Sequence, residues 1–243
     1  SRQEAGDRFP QFAYREEDVI IHDAWSGYVR SGAALTGLAG IAQEEGVQIL
    51  ADTMVLEVAE DLRTVRIRHG GGTSGFDMAV VCGGPWVGRL VPALVEHLCV
   101  TRQEMAFFNP GDADQYRREI TPVWSFAPYD DGWYGLPLLH EGYVKVAMGK
   151  RVHEVDADVE RVATPEFLEE AQRFVTARLP GLASGELVGS LACLYTNTPD
   201  HHFIIDRAPG RQLTSALQHM AAGIVFAAVA TEIVPEMLVG GEM

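Results

Sequence analysis

The sequence contains little positive charge and few cysteines. Lys and Arg together number 19 against 34 Asp and Glu, which gives a formal net charge of −15. Nucleic acids and anionic membrane surfaces bind basic faces, so this balance argues against either partner. The three cysteines, Cys82, Cys99 and Cys193, are widely spaced and form no CxxC pair. We therefore expect neither a disulfide framework nor a metal site.

Long apolar runs are also missing. A membrane-spanning helix needs roughly 18 or more consecutive apolar residues, and the longest candidate, Ala221 to Ala230, is too short. The first residues do not show the basic region and apolar core of a signal peptide. With 47% hydrophobic and 22% charged residues, the composition is that of an ordinary globular protein. The expectation is a soluble, cytoplasmic protein.

A convincing dinucleotide-binding fingerprint is absent as well. Residues 70–75 read GGGTSG, which matches GxGxxG. In the true fingerprint a helix follows at once, so that its N-terminal amides face the pyrophosphate. Here FDMAVV follows, which is typical of a strand. The glycines are therefore predicted to form a hairpin turn between two strands.

The remaining pattern predicts a mixed α and β protein with a strand-rich middle. Helices are predicted from a turn at Gly27 to a stop at Gly46, from Pro85 to Leu94, after the N-cap Thr164, and from about Gly223 to Leu238. Strands are predicted at 47–50, 53–58, 64–69, 76–81, 100–108, 122–126, 133–136, 143–148, 187–195 and 203–206. The first dozen residues read as irregular.

The most informative stretch is LACLYTNTPDHHFIID, Leu191 to Asp206. It resembles the family of FAD-dependent amine oxidases that includes monomeric sarcosine oxidase, N-methyltryptophan oxidase and pipecolate oxidase, in which a C-x-Y-T-x-T-x-D segment leads to F-I-I-D. In that family the cysteine forms a thioether with the 8α carbon of FAD. The resemblance therefore implies FAD as the cofactor and Cys193 as its covalent attachment point. Without the flanking motif, a lone cysteine in an apolar strand is most often inert core.

Two further stretches resemble the family's FAD-binding segments. DTMVLEV resembles the strand whose valine contacts adenine, which implies that role for Val55. VVCGGPW resembles the turn that lies under the cofactor, which implies that Gly83, Gly84 and Trp86 contact the FAD. Without the resemblance, Val55 and Trp86 would equally suit a core, and the two glycines a strand-to-helix turn.

Three other stretches, TRQEMAFF, WYGLP and YVKVAM, resemble segments on the substrate side of the family's cofactor site. The second segment implies that Tyr134 lies near the substrate pocket, and the third that Lys145 helps O2 accept electrons. A cation beside the flavin would stabilise the negative charge that develops as O2 reacts. On periodicity alone Lys145, between two valines, would point to solvent, and Tyr134 would suit a core.

The sequence departs from the family in three places. The N-terminal strand, fingerprint and helix that hold the FAD pyrophosphate are not represented among these residues. Near the end, Gly223 matches the family's glycine-rich segment, but Ala222 occupies the histidine position and Val225 the position of a carboxylate-binding lysine. The histidine expected after the oxygen-site strand falls at Gly149, with His153 as the nearest substitute.

The resemblance implies an α+β or α/β fold with two parts. Residues 1–99 and 200–243 would form a partial FAD-binding domain that lacks its first βαβ unit. Residues 100–199 would form an antiparallel-sheet substrate domain. The implied function is oxidation of the C–N bond of a secondary amine or N-methyl amino acid by O2, giving an imine and H2O2.

Two alternatives remain open at this point. One is a truncated or non-catalytic relative that has lost flavin binding. The other is a subunit or fragment that is completed by a separate chain or segment carrying the dinucleotide-binding motif. A small amine or amino acid and O2 are the expected partners in the enzymatic interpretation.

Overall fold

A computed structural model describes residues 1–60, 64–126, 132–149, 153–200, 204–207 and 223–228. Its helices are α1 (Arg2–Arg8), α2 (Ser31–Glu44), α3 (Val87–Leu90), α4 (Pro165–Arg178) and α5 (Pro180–Ala183), with short 3-10 segments at Gly84–Trp86, Pro92–His97 and Ala113–Tyr116. Its strands are β1 (Val55–Glu60), β2 (Val65–His69), β3 (Gly72–Phe76), β4 (Met78–Val81), β5 (Cys99–Asn109), β6 (Trp124–Phe126), β7 (Trp133–Leu138), β8 (Val144–Met148), β9 (His153–Glu154), β10 (Glu186–Asn197), β11 (Ile204–Arg207) and β12 (Gly223–Ala228).

The strands form three sheets. The largest has the order β10-β5-β8-β7-β6, with β9 also paired to β5. The registers of β5 with β8, β8 with β7 and β7 with β6 are all antiparallel. A second sheet is the antiparallel meander β1-β2-β3, and a third has the order β11-β12-β4, in which β12 runs parallel to β4. The expected fold class, mixed α and β with antiparallel sheets, is confirmed.

The chain divides into two compact units. The first comprises 1–30, 102–153 and 160–193, and the second 31–101, 154–159 and 194–243. The predicted domain limits, 1–99 with 200–243 and 100–199, stay a prediction. No helix in the part of the chain that the structure describes is long and apolar enough to cross a membrane.

The core of the first unit lies between its sheet and helix α4. Alternate residues of β7 and β8 face this core because successive side chains of a strand point to opposite faces. Trp133 of β7 stacks between two aromatic rings of α4, at 4.6 Å from the Phe174 ring and 5.7 Å from the Phe167 ring. Val144 and Val146 of β8 are fully buried in the same cluster. One face of the sheet is thus closed.

Helix α4 begins and ends with identifiable interactions. The Thr164 hydroxyl accepts a hydrogen bond from the amide of Phe167, as an N-cap does, and Pro165 occupies the first helical position. At the other end Arg178 donates two hydrogen bonds to the Asp18 carboxylate, at 2.8 and 2.9 Å, and a third to the carbonyl oxygen of Ala13. This contact joins the N-terminal segment to the helix.

The described residues of the second unit form a core of their own. Val65 of β2, Val81 of β4 and Val87 of α3 are buried together with Leu94. Helix α2 forms as predicted but has no buried side chain in the part of the chain that the structure describes. Leu38 and Ile41 are exposed, and Leu35 is half-buried.

Most predicted strands are confirmed within two residues. A hairpin does follow β2, but its second strand is β3, Gly72–Phe76, inside the glycine run, whereas the strand predicted as its partner, β4, pairs with β12 in another sheet. His69 pairs with Gly72, and β2 and β3 are antiparallel on either side of the turn. The predicted strand at 47–50 was wrong, since these residues have no regular secondary structure and join no described sheet. The N-terminal residues are not irregular, because Ser1 and Glu4 form a capping box that starts α1.

The predicted helix at Gly223–Leu238 was wrong over its first six residues. Gly223 to Ala228 form β12 instead, with Gly223 opposite Met78 and Phe226 opposite Val81. A short run in which every residue is apolar has no period that distinguishes a strand from a buried helix. Residues 229–238 lie outside the described residues.

Candidate active site

The face of the six-stranded sheet opposite helix α4 gathers three of the predicted site residues. We call it the Cys193 face. It consists of Met105, Phe107, Tyr134, Lys145, Ala147, Leu191 and Cys193. Strands β5, β7, β8 and β10 contribute to it. Cys193 comes from a strand at one edge of the sheet order, and Tyr134 and Lys145 from β7 and β8.

Lys145 and Tyr134 interact directly across neighbouring strands. Tyr134 pairs with Ala147, and Lys145 pairs with Leu136, so the two side chains stand diagonally on one face. The Lys145 Nζ lies 5.4 Å from the centroid of the Tyr134 ring. Such a cation–π contact contributes about 0.5–1 kcal/mol at partly exposed sites. The ammonium is therefore held over the aromatic ring rather than directed at bulk solvent alone.

Cys193 lies in an apolar setting on the same face. Its side chain is 2% exposed and forms a buried cluster with Met105 and Ala147. Tyr134 packs against this cluster. The thiol, the phenol ring and, through that ring, the Lys145 ammonium thus belong to one continuous group of side chains.

Two glycines shape the surroundings of Tyr134. Gly135 is buried, and a Cβ there would overlap the Trp124 indole and the carbonyl oxygen of Lys145. Only glycine lets β6, β7 and β8 pack this closely, which explains the glycine of the WYGLP motif. Gly149 is different, because a Cβ there would lie at ordinary contact distance, 4.0 Å, from Cε1 of Tyr134. A side chain at this position would border Tyr134 without overlap.

The predicted cofactor turn in the second unit is built as a tight strand-to-helix connection. Gly84 has a φ of +50°, which favours glycine. A Cβ at Gly83 would approach the backbone N and Cα of Val87 to 3.2 Å. The Trp86 indole N–H donates to Asp158 at 2.7 Å, and this bond is the main reason that the pKa of Asp158 is lowered. Trp86 therefore also has a structural role.

Three further residues of the sequence analysis, Val55, Gly223 and Val225, belong to separate strands or segments of the second unit. Val55 begins β1, opposite His69, and its side chain is exposed. Gly223 begins β12. Val225 lies in the same strand and pairs with Val80 of β4. Ala222 lies outside the described residues.

His153, the nearest substitute for the family's histidine, belongs to the first unit. It lies in β9 with an exposed side chain. Nothing in its described surroundings brings it into the Cys193 face.

Sequence reasoning missed the position of Arg161 beside the strand that carries Cys193. The amide of Ala192 donates a hydrogen bond to the carbonyl oxygen of Arg161 at 3.2 Å, which places Arg161 beside β10. Partial burial lowers the pKa of Arg161, and an electrostatic interaction with Cys193 opposes that change. Arg161 precedes the N-cap of α4 by three residues, and no local pattern indicates that it lies near a residue 32 positions later.

Comparison with protein families gives one match over nearly the whole chain. The model of the DAO family, described as FAD dependent oxidoreductase, matches residues 1–237. An N-methyl-L-tryptophan oxidase of Salmonella heidelberg (strain SL476) is 28% identical over 237 residues, which are 96% of this chain and 62% of that protein. The relative of Salmonella typhi with the same name has the same identity and coverage. The chain thus spans 62% of the length of these relatives.

Solved structures show the same fold. An L-proline dehydrogenase from P. horikoshii superposes with a TM-score of 0.69 at 18% identity, covering 99% of this chain and 61% of that one. NikD, described as an unusual amino acid oxidase essential for nikkomycin biosynthesis, superposes with a TM-score of 0.63 at 17% identity, covering 81% of this chain and 51% of that one. At these identities the likeness concerns the fold alone.

Proposed function

The chain belongs to the DAO family of FAD-dependent oxidoreductases, and from that premise we propose that the protein oxidises the C–N bond of a secondary amine or N-methyl amino acid. O2 would be the electron acceptor, and an imine and H2O2 the products. The observation that carries the proposal is the presence of Cys193, Tyr134 and Lys145 in one group of side chains. When bound, FAD would supply hydride acceptance and electron transfer to O2.

The side chains of the Cys193 face fit a flavin ring by their chemistry. A flavin offers a flat, largely apolar ring system that becomes negatively charged on reduction. The face provides apolar contact through Met105, Phe107 and Ala147, a thiol at Cys193 and a cation at Lys145. We propose that Cys193 holds the cofactor covalently, while Val55, Gly83, Gly84, Trp86 and Gly223 bind its remaining parts.

Lys145 would act by electrostatics. Lys145 is half-buried and its ammonium lies over the Tyr134 ring, so the charge would be held in place before O2 arrives. A fixed cation in a partly dry site stabilises developing negative charge without reorganising. Tyr134 would border the substrate and position Lys145 through the same contact.

The preferred substrate class depends on the absence of a lysine charge at position 225. Val225 stands where the family has a carboxylate-binding lysine, so a substrate carboxylate would lose a charge-assisted partner. This substitution supports a secondary amine over an N-methyl amino acid as the better substrate. Gly149, beside Tyr134, would leave the space that a histidine fills in the family.

A dinucleotide-binding segment, in the same or a separate chain, would complete the cofactor site. The 243 residues contain no convincing fingerprint. Several apolar side chains of the second unit are exposed, among them Leu38 and Ile41 of α2 and Leu56 of β1. We propose that residues 1–99 and 200–243 contribute the remaining FAD contacts and that 100–199 form the substrate side.

The proposal is tested by the absorption spectrum of the purified protein, with and without added FAD. We expect a yellow protein whose colour survives acid precipitation, and H2O2 release with N-methyl amines. A folded protein that stays colourless with FAD would refute amine oxidation by this chain and favour the non-catalytic alternative. Colour that appears only with a co-purified chain would favour the completed complex.

Replacing Lys145 by Met tests its role. Because oxyanion-type stabilisation is worth about 10²–10³ in rate, we expect reoxidation of the reduced protein by O2 to fall by roughly that factor. Lys145→Arg should retain most of the rate, since it keeps the charge. Stopped-flow mixing of the reduced protein with O2 measures both variants, and equal rates for Lys145→Met and wild type would contradict the assignment.

A further inference from the structure

The predicted cofactor turn, Gly83 to Trp86, is contacted by a loop that is distant in the chain. The Trp86 indole N–H donates to one carboxylate oxygen of Asp158 at 2.7 Å, and Arg89 donates to the other at 2.6 Å. Asp158 therefore uses both of its oxygens, one on the turn and one on α3, the helix that follows the turn. Asp158 lies 72 positions after Trp86, so the contact is a product of the fold and not of local sequence.

The loop that carries Asp158 is fixed by further hydrogen bonds. Arg89 also donates to Asp156 at 2.8 Å, and the same Asp156 oxygen accepts from the amide of Asp158 at 2.8 Å. The amide of Val155 donates to the carbonyl oxygen of Val100 at 2.9 Å. Exposed ion pairs contribute little one at a time, but several charges that form a network with good geometry contribute more. Asp158 is thus held by bonds that do not involve Trp86.

The charges of these groups agree with the geometry. The pKa of Asp158 is lowered, first by the hydrogen bond from Trp86 and then by the one from Arg89. The pKa of Arg89 is raised mainly by its hydrogen bond to Asp158. Both groups therefore stay ionised at neutral pH, and the indole N–H has a charged acceptor. Hydrogen bonds to charged acceptors are shorter and stronger than those between neutral groups.

The backbone of the cofactor turn is confined, but the Trp86 side chain needs a separate support. Gly84 has a φ of +50°, and the amide of Trp86 donates to the carbonyl oxygen of Gly83 at 3.0 Å, which sets the path of the chain. Val87 is fully buried, whereas Trp86 is only half-buried. A half-buried indole can change its side-chain rotamer unless its N–H is bound. The bond to Asp158 therefore selects one orientation of the indole.

We propose that Asp158 is a positioning residue for FAD binding, which holds the Trp86 indole and, through it, the cofactor turn in the arrangement that receives FAD. This inference rests on the proposed function, because it takes the turn as a contact of the cofactor. The role of Asp158 is assigned through Trp86 and not through a contact with the cofactor. Arg89 assists by holding the second oxygen of Asp158.

The first test needs no flavin. The indole N–H signals of the four tryptophans are recorded by two-dimensional nitrogen–proton NMR, and the Trp86 signal is the one that Trp86→Phe removes. In Asp158→Ala the indole loses its acceptor, so we expect its signal to shift and its proton to exchange faster with solvent. Asp158→Asn keeps an oxygen acceptor, so its Trp86 signal should stay close to that of the wild type. An unchanged Trp86 signal in Asp158→Ala would overturn the proposal.

The wild-type spectrum contains an internal standard. Trp25 is 96% exposed, and its signal is identified with Trp25→Phe. We expect the indole proton of Trp86 to exchange with solvent more slowly than that of Trp25. Equal exchange of the two protons would overturn the proposal, and this result is accessible even if Asp158→Ala does not fold.

Asp114→Ala is the matched control variant. It removes an exposed aspartate that pairs with Arg117 at 2.6 Å, the same distance as between Asp158 and Arg89. We expect it to leave both the Trp86 signal and the FAD affinity unchanged. Equal changes in Asp114→Ala and Asp158→Ala would show a general effect of losing a surface ion pair and would overturn the proposal.

The second test measures the dissociation constant of FAD by the quenching of flavin fluorescence, on the purified protein together with any chain that co-purifies. The net contribution of one hydrogen bond corresponds to a factor of about two to ten in an equilibrium constant. We therefore expect Asp158→Ala to bind FAD more weakly by about this factor, and Asp158→Asn to recover most of the loss. Equal affinities of the wild type and a folded Asp158→Ala would overturn this inference and leave the proposed function standing.

A double-mutant cycle distinguishes positioning through Trp86 from an independent effect. In a Trp86→Phe background the indole N–H is absent, so adding Asp158→Ala should weaken FAD binding by less than about twofold. Additive losses would mean that Asp158 acts independently of Trp86, and would overturn the positioning role. A wild type that binds no FAD would refute the proposed function and this role with it, whereas the Trp86 signal still decides whether Asp158 holds the indole.

Discussion

The two 14-residue helices of this protein, α4 in the first unit and α2 in the second, differ in how far they bury their apolar side chains. In the first, Trp133 and Phe174 stack at 4.6 Å with nearly parallel rings inside a closed layer between sheet and helix. In the second, α2 buries none of its described side chains, and Leu38 and Ile41 are 63% and 58% exposed. Helix α4 thus closes one face of the sheet that carries Cys193, Tyr134 and Lys145, whereas α2 leaves apolar side chains that a further segment could cover. Exposed apolar side chains also occur in the first unit, at Val19, Ile21, Trp25 and Val29.

The largest expected effect is at the tightest contact of the first unit. Gly135→Ala would push a methyl group into the Trp124 indole and the carbonyl oxygen of Lys145. Because one of these atoms belongs to the backbone, the strands must separate, and we expect a loss of about 4 kcal/mol or more in unfolding free energy. Urea unfolding followed by tryptophan fluorescence measures it.

Gly149→Ala is the matched control for Gly135→Ala. The added Cβ would meet Tyr134 and the carbonyl oxygen of Gly132 at ordinary contact distances, and residue 149 is exposed to solvent. We expect a change within about 0.5 kcal/mol. Comparable losses in the two variants would show that close packing around Tyr134 does not set the stability of the first unit.

The individual strands of this site follow from the sequence, but its assembly does not. Alternation predicts that Lys145 points away from its valine neighbours, and this is what the structure has. Whether the opposite face is solvent or a site depends on the register that brings Tyr134 diagonally across from Lys145. Register is a non-local property, and so is the backbone contact between Arg161 and Ala192, which no local pattern contains.

The next effect concerns Arg178, which joins α4 to the N-terminal segment. Its side chain is 3% exposed, bonds Asp18 twice and lies 4.6 Å from the Phe126 ring centroid. Arg178→Met leaves the half-buried Asp18 carboxylate without its partner, which costs about 1.5–3 kcal/mol. Arg173→Met on the same helix removes only an exposed pair with Glu169 and should cost less than about 0.5 kcal/mol. Thermal unfolding of both variants measures the difference, and equal losses would contradict it.

Asp18 gives this contact a pH dependence. The hydrogen bond from Arg178 holds the pKa of Asp18 below its ordinary value of 3.8. The unfolded state therefore binds more protons, so the contribution is complete above the ordinary value and is lost as pH falls through the lower folded value. We expect the stability advantage of the wild type over Asp18→Asn to shrink below about pH 5. An advantage that stays constant in acid would contradict this assignment.

The fold could be predicted where a pattern has a period or a cap. The Thr164 cap and the strands of the first unit were clear for that reason, and the capping box of Ser1 and Glu4 was a local signal that sequence reasoning overlooked. The assignment at Gly223–Ala228 failed because an apolar run takes its structure from its neighbour, here β4. Strand pairing between distant segments decided that case, and no local propensity could.

The smallest expected effect is that of a leucine-to-alanine change in the second unit, which is compared with the same change in the first. Leu179→Ala removes a fully buried side chain of the first unit and should cost about 2–5 kcal/mol. Leu38→Ala removes an exposed side chain from α2, and because alanine is a good helix former, the change should stay within about 0.5 kcal/mol. Chemical denaturation of the two variants compares the units directly. A loss at Leu38 as large as that at Leu179 would mean that α2 is covered in solution, and would favour a segment or chain packed on the second unit.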